Sequence, residues 1–306
     1  MSLLGQGMGK GPSGYGYGST AEVVTQGIAL KGRNILVTGS TSGLGLETVR
    51  VLAQRGARVF ATGRTKEKAA AACDRVPGVI VPVECELSTP SSVRGCVAFL
   101  KAEGVKLDVI IANAGIMALP ELKQSHGYEL QFFTNHIGHF LLITELLSEL
   151  TDEARVVVLS SGAHKGAPKA GIEFDNLSGE RGYSPWKAYG QSKLANLLFS
   201  KQLAQRFQGT GKTANAVHPG VIKTELGRSM SPVVRFVLSA ASPVLLKSVA
   251  EGAATQCYVA TRPELAGVSG EYFADCNVAK SSELSRDSAL AARLWEESER
   301  IVAKLG

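Results

Sequence analysis

Long apolar runs are missing from this 306-residue chain. No stretch reaches the roughly 18 apolar residues that a membrane-spanning helix needs, and the most apolar one, residues 233–249, is broken by Arg235, Pro243 and Lys247. Cysteine is scarce: five residues, at 73, 85, 96, 257 and 276, with no Cys-x-x-Cys among them. An odd, scattered set argues against a disulfide framework or a zinc site and for reduced thiols in a reducing compartment. Charge of one sign is nowhere concentrated. The net charge of +6 comes from dispersed Lys and Arg, which reads as a mildly basic surface and not as a nucleic-acid patch, although a local positive excess suits an anionic ligand. The first twenty residues have no apolar core and so do not read as a signal peptide. Their glycines at 5, 7, 9, 11, 14, 16 and 18 make 1–20 a flexible arm by default, with Tyr15 and Tyr17 available to dock it. Together these features lead to the expectation of a cytoplasmic protein without a transmembrane segment.

What is present is globular: 44% hydrophobic and 20% charged residues, in a chain long enough to bury a sizeable core. Short apolar runs alternate with helical periodicity. Strands are expected at 34–38, 58–62, 79–83, 108–112, 155–159, 214–217 and 271–273, with helices between them, including a long one over about 127–147 and another from Ser184-Pro185 to about Phe207. Six to seven strands so arranged read as one α/β domain over 21–306, a Rossmann-type doubly wound parallel sheet with helices on both faces. An apolar insert over about 225–260, rich in Val, Leu and Phe, reads as a small helical substrate lid. A membrane-surface contact aided by Arg228, Arg235 and Lys247 is the second reading of that insert.

The turn after the first strand is Gly39-x-x-x-Gly43-x-Gly45. Glycines let the backbone turn sharply and approach a phosphate, and the following helix offers free N–H groups and the positive end of its dipole. The second strand ends at Gly63-Arg64, where a carboxylate would accept ribose hydroxyls and a guanidinium suits a 2′-phosphate. NADP(H) is therefore favoured. Tyr189 and Lys193 lie four apart, on one helix face, and a nearby ammonium makes a phenol a better acid–base group. Ser160 and Ser161 end the fifth strand, where a hydroxyl can bond a substrate carbonyl. Asn135 is a poor helix former inside a helical stretch, which hints that its side chain bonds backbone or water. His136, His139 and His164 lack a fourth partner for a metal, and no Gly-x-Ser-x-Gly elbow supports a nucleophilic serine.

Taken in order, Thr38-Gly39-x-x-x-Gly43-x-Gly45, Asn113-Ala114-Gly115, Asn135, Ser161, Tyr189-x-x-x-Lys193 and Pro219-Gly220 resemble the short-chain dehydrogenase/reductase family over about residues 32–280. Residues 135–140, 189–196 and 216–221 look like its retinol-dehydrogenase-like branch, which includes the WW-domain oxidoreductases and Tic32-like proteins. The resemblance implies roles. Tyr189 would exchange the proton at the substrate oxygen, Lys193 would lower its pKa and bond the nicotinamide ribose, Ser161 would polarise the carbonyl, and Asn135 would hold a water that relays protons. Thr38, Gly39, Ser42, Gly43, Leu44 and Gly45 would hold the pyrophosphate side, Arg64 the 2′-phosphate, and Glu86 with Leu87 the adenine. Asn113, Ala114 and Gly115 would line the adenosine ribose, and Pro219, Gly220, Val221, Ile222 and Thr224 the nicotinamide. Family members are often dimers or tetramers.

Three departures bear on the substrate: a glycine-rich arm stands in place of a membrane anchor, the cofactor-selecting turn is Thr62-Gly63-Arg64-Thr65, and 28 positions separate Ser161 from Tyr189. That long loop, with Phe174, Tyr183 and Trp186, is expected to border the substrate. The reading is an NADP(H)-dependent oxidoreductase of a small apolar alcohol/carbonyl pair. Its alternatives are an NADP(H)-sensing interaction protein with little turnover and a carbon–carbon double-bond reductase of the same fold.

Overall fold

The computed structural model describes residues 9–222 and 246–306. Most of the chain wraps one eight-stranded sheet. Its strands are β1 Asn34–Val37, β2 Arg58–Gly63, β3 Val79–Glu84, β4 Leu107–Ala112, β5 Leu150–Leu159, β6 Thr213–His218, β7 Tyr272–Ala274 and β8 Asn277–Val278. In space they run β8-β7-β6-β5-β4-β1-β2-β3. Strands β1 to β7 are parallel; β8 returns antiparallel to β7. The order reverses between β1 and β4, and in such sheets ligands bind beyond the carboxyl ends of the strands at that switch point.

Successive residues of a strand face opposite sides of a sheet, and here both sides are buried. Ile35 and Val37 join one core cluster, with Val49, Leu52, Ile111, Val157, Cys257 and Phe273. Leu36 joins the other, with Phe60, Ile110, Leu142, Val158, Phe199 and Trp295. That is why the strands read as continuous apolar runs without alternation. The helices that supply the two layers are α1 Ala21–Val24, α2 Gly43–Gln54, α3 Lys66–Cys73, α4 Pro90–Ala102, α5, α6 Pro185–Arg206, α7 Val249–Gly252, α8 Ala254–Thr261 and α9 Ser288–Ala303. Helix α5 changes winding along its length: α-helical over Leu130–Phe132, π-helical over Phe133–Ile137 and α-helical again over Gly138–Glu145.

Several expectations are revised. The sheet has an eighth strand because Asp275 and Cys276 both take positive φ, 51° and 63°, as a two-residue hairpin turn requires; Asp-Cys is not a sequence that signals such a turn. Helix α9, capped by Asp287 accepting from Leu290 N, closes the second core with Trp295. The long helix begins at Leu130 and not at 127, because Gln124–Ser125 and Tyr128–Glu129 form a small hairpin first. Residues 9–20 are docked and do not hang free as a flexible arm. Ser13 N donates to Asn277 Oδ1 (3.0 Å) and Asn277 Nδ2 donates to Tyr15 O (3.1 Å). Tyr15 meets the Tyr258 ring edge-on, and Lys247 Nζ sits 4.7 Å from the Tyr17 ring centre. Lys247 is itself buried, 2.5 Å from Asp275 Oδ1, so it is not on offer to a membrane surface. Among the described residues no helix is long and apolar enough to cross a membrane. Thr224, Arg228, Arg235 and the part of the insert over 225–245 lie outside the described residues.

Candidate active site

The glycine turn joins β1 to α2 with little room to spare. Gly39 and Gly43 take positive φ, 68° and 54°, which side-chain-bearing residues rarely adopt. A Cβ on Gly45 would lie 2.1 Å from Gly39 O and 2.6 Å from Asn113 Nδ2. Ser42 occupies the N-cap of α2 yet makes no side-chain capping bond, so the first N–H groups of the helix are left for another acceptor. Leu44 is buried in the core beneath the turn.

The β4 end is clamped to this turn. Asn113 Nδ2 donates to Thr38 O (2.8 Å) and Gly39 O (3.3 Å), while Asn113 N and Ala114 N both donate to Thr38 Oγ1 (2.9 and 3.0 Å). Gly115 is closely approached: a Cβ there would meet Asn135 Oδ1 at 3.2 Å and Lys193 Nζ at 3.4 Å. At the β2 end the Arg64 side chain is 75% exposed, with Nε 4.0 Å from Glu86 Oε2. Glu86 also accepts from Ser88 N and Oγ. The Leu87 side chain is buried in the second core and its carbonyl packs on Gly138, so its side chain is engaged away from the cleft.

Asn135 sits in the π-helical turn of α5, a winding that recurs at functional sites. Its Oδ1 accepts from Ile116 N (2.8 Å); its Nδ2 donates to Ile116 O (2.9 Å) and to Ser192 Oγ (2.9 Å). The side chain is thus fully engaged in holding the segment after β4 against α6.

Helix α6 starts at Pro185 behind Ser184 and carries Tyr189 and Lys193 on one face, both buried. The Ser161 side chain stands close enough to the Tyr189 phenol to pull its pKa down, and Ser161 begins a short 3-10 turn in which its Oγ accepts from Ala163 N. Ser160, its neighbour, points the other way: Ser160 Oγ donates to Lys193 O at 2.7 Å and anchors β5 to α6. Lys193 Nζ donates to Leu159 O at 3.1 Å and lies 5.8 Å from the Tyr189 ring centre. Burial pushes the Tyr189 phenol up to about 12, outweighing the pull of Ser161, and pushes Lys193 down to about 8. The net shift of the phenol is thus upward and set by burial.

Beyond β6, Gly220 has φ 93° and lies against the Lys247 stem, where a Cβ would come within 2.7 Å of Lys247 Cδ. Lys247 N donates to Val221 O, and Ile222 bridges to Lys247. Val221 is 57% exposed, as is Trp186 at 48%; Trp186 stands edge-on to Tyr189 with ring centres 6.2 Å apart. Of the three aromatics of the long loop, Trp186 is the one beside Tyr189. Phe174 lies under Arg293, packed against a smaller apolar cluster that includes Phe132 and Leu194, and Tyr183 OH donates to Leu119 O. The loop also walls a cavity of about 370 Å³ with Glu173, Arg181, Lys187 and Gln191, but Lys187 and Gln191 project from the side of α6 opposite Tyr189.

The structure brings Thr38, Gly39, Gly45, Asn113, Ala114, Gly115, Asn135, Ser161, Tyr189 and Lys193 to the carboxyl edge of the sheet. Sequence reasoning missed Asp275, Ser192, the buried pairing of Lys247 with Asp275 and the wiring of His218, whose Nδ1 accepts from Gly162 N. Only the fold reveals the Lys247–Asp275 pairing, which crosses a long chain separation. Among the described residues no three His, Cys, Asp or Glu side chains stand together as metal ligands would. His136 Nε2 donates to Ser298 Oγ and His164 Nδ1 donates to Ser161 O.

The sequence family described as short chain dehydrogenase matches residues 33–233. Short-chain dehydrogenase TIC 32 B, chloroplastic, of Brassica napus is 43% identical over 320 residues, covering 100% of both chains. Retinol dehydrogenase 14 of Homo sapiens is 38% identical, covering 90% of this chain and 88% of the human protein. An uncharacterised protein of Mycobacterium paratuberculosis superposes with a TM-score of 0.74 at 34% identity, over 94% of this chain and 98% of that one. A short chain dehydrogenase of Burkholderia cenocepacia, solved in complex with NADP, shares the fold at a TM-score of 0.64 and 23% identity, over 80% of this chain and 96% of that one. These relatives correct the cytoplasmic expectation, since both TIC 32 proteins matched end to end are named chloroplastic. The five cysteines are buried and unpaired, a pattern that does not separate one reducing compartment from another.

Proposed function

This chain belongs to the short-chain dehydrogenase family, and from that premise we propose that it is an NADP(H)-dependent oxidoreductase acting on an apolar alcohol/carbonyl pair. The observation that carries the reading is the buried Tyr189/Lys193 pair one turn apart on α6, with Ser161 beside the phenol and Lys193 Nζ beside Gly115, at the same sheet edge as the bare glycine turn. The residues fit a dinucleotide. The turn is a cradle that any Cβ on Gly45 would fill, and α2 begins without a side-chain cap. The end of β2 offers the exposed Arg64 fork where a carboxylate would repel a 2′-phosphate. On this reading Thr38, Gly39, Ser42, Gly43, Leu44 and Gly45 hold the pyrophosphate side, Arg64 the 2′-phosphate, and Asn113 to Gly115 the adenosine ribose.

When bound, NADP(H) supplies or accepts the hydride. The chain's own residues handle the proton and the geometry. Ser161 Oγ donates a hydrogen bond to the substrate oxygen. Tyr189, whose phenol keeps its proton up to about pH 12 in the folded protein, passes that proton to the oxygen as negative charge develops there. Lys193, ordinarily charged below about pH 8, stabilises the phenolate left behind. Asn135 holds the segment after β4 and α6 in register, so that Tyr189, Ser161 and Lys193 meet. The exposed faces of Trp186 and Val221 give the cleft an apolar rim, which supports an apolar substrate.

The test is Tyr189→Phe with a panel of apolar ketones and aldehydes. Removing the phenolic proton is expected to cut kcat by about a thousandfold while NADPH affinity stays within a factor of about two. Turnover near wild type would sink the reading.

A further inference from the structure

One buried ring ties the two sides of this site together. His139 lies one turn beyond Asn135 on α5, and because helical side chains lean toward the N-terminus its imidazole lies over the Asn135 turn. Nδ1 is 2.8 Å from Asn135 O, and Nε2 is 2.8 Å from Thr38 Oγ1. A carbonyl oxygen only accepts, so Nδ1 carries the hydrogen. In the neutral ring Nε2 is then a bare acceptor, and the hydroxyl of Thr38 must donate to it. Both lone pairs of that hydroxyl are already met by Asn113 N and Ala114 N. Thr38 Oγ1 is thus saturated, and its orientation depends on His139 taking its proton. A lone buried histidine is ordinarily packing; this one has both nitrogens committed, one to the π-helical turn and one to the dinucleotide turn.

We propose that His139 is a positioning residue for the reaction: it fixes the Thr38 hydroxyl so that the β4 end is set against the glycine turn, and it fixes the Asn135 turn that sets α6. The proposal rests on the oxidoreductase reading above and concerns residues that touch neither substrate nor reacting atoms. It predicts that cofactor affinity and turnover are separable at this one position. An asparagine at 139 can keep a donor where Nδ1 stands but cannot reach Thr38. A glutamine can place its amide oxygen where Nε2 stands but loses the bond to Asn135.

The experiment measures Kd for NADPH and NADH by fluorescence titration, kcat at saturating cofactor, and thermal midpoint, for His139→Asn, His139→Gln, Thr38→Val and the double variant His139→Asn/Thr38→Val. His139→Asn is expected to raise the tighter cofactor's Kd about tenfold, as for one lost buried hydrogen bond; Thr38→Val, which removes all three bonds of its hydroxyl, is expected to raise it more, and the double variant no further than Thr38→Val alone. His139→Gln is expected to hold Kd within about threefold and to lower kcat about tenfold. Additive effects of His139→Asn and Thr38→Val, or variants that move the thermal midpoint alone, overturn the proposal; if His139→Asn does not fold, Thr38→Val and His139→Gln carry the same split. A ¹⁵N-histidine spectrum of the cofactor-free protein at neutral pH reads the wiring directly. The Nδ1–H tautomer at His139 supports it, and an Nε2–H tautomer or an imidazolium overturns it. Wild-type protein that binds neither NADPH nor NADH would instead overturn the oxidoreductase reading, and the tautomer would still decide the wiring.

Discussion

At the ends of β1 and β4 the polar side chains face one another. Asn113, Thr38 and His139 are satisfied within the protein, and what is presented outward is backbone: glycines, N–H groups and the uncapped start of α2. At the ends of β5 and β6 the chemistry-bearing side chains themselves face the cleft: Ser161, Tyr189 and Lys193, rimmed by exposed Trp186 and Val221. The first side is suited to a ligand that never varies, recognised by main-chain geometry. The second carries ionisable groups held at unfavourable pKa values, and so carries the energetic strain of the site. The division teaches where substitutions should affect binding, where they should affect rate, and where they should affect stability.

Acid should break both sides at once. His139 on the first side and His218 on the second are held near 4, and His136 in the core near 3, all mainly by burial. Their folded pKa values lie below the unfolded value of 6.5, so between 6.5 and about 4 the unfolded chain binds protons that the native state refuses. Stability therefore falls as pH falls through that window, by on the order of 3 kcal/mol per ring at its lower end. Three such rings rival the ~5–15 kcal/mol that keeps a domain folded, so cooperative acid unfolding is expected above pH 4. Denaturant titrations from pH 7 to 4 check it; a flat stability profile would mean these rings are solvated.

Lys193→Met should sharpen the contrast. Its ammonium is held at about 8 by burial, well under the usual 10.5, so the native state resists protonation. Stability thus rises with pH between about 8 and 10.5, and at neutral pH the buried charge costs about 3 kcal/mol. Methionine fills the volume without that charge, and Leu159 O keeps its bond from Asn196 Nδ2. Turnover is expected to fall about a hundredfold while the thermal midpoint rises. A variant that loses both activity and stability would show that Lys193 supports the fold.

Arg64→Ala addresses the other side. The guanidinium is largely exposed and near Glu86, so its removal should leave the thermal midpoint in place. NADPH affinity should fall about tenfold with NADH affinity unchanged. Equal losses for both dinucleotides, or none, would mean that Arg64 reads no 2′-phosphate.

How much of this was legible follows the same division. The glycine turn, Asn113 to Gly115, Ser161 and the Tyr189/Lys193 spacing announce themselves because local chemistry dictates them: positive φ at Gly39 and Gly43, one helix face for the pair. Asn135 was legible as a misfit in a helix, though not as part of a π-helical turn. The signs of the pKa shifts were not legible, since burial is a tertiary property and outweighed the pairing expected from sequence. His139 read as one of three histidines lacking a fourth partner for a metal; its actual partner Thr38 is 101 residues away. Likewise Phe174 and Tyr183 are typical cleft aromatics by composition, but the fold turns one under Arg293 and bonds the other to Leu119.

The docked arm is where the smallest effect is expected and where the two-sided picture has an outside support. Tyr17 lies over Lys247 Nζ, and Lys247 is paired with Asp275 while its stem packs on Gly220 beside the exposed Val221. Lys247 is almost fully buried, so removing an aromatic face from its ammonium weakens a desolvated contact of about 1 kcal/mol. Tyr17→Leu keeps apolar bulk and removes the π face. It should lower the thermal midpoint by a few degrees at most and raise KM for the carbonyl substrate about twofold to fivefold, because Gly220 and Val221 belong to the substrate side. NADPH Kd is expected to shift less than KM, since the glycine turn lies at the end of β1 and this cluster beyond the end of β6. A shift in NADPH Kd with KM for the carbonyl unchanged would join the arm to the dinucleotide side and undo the division drawn here.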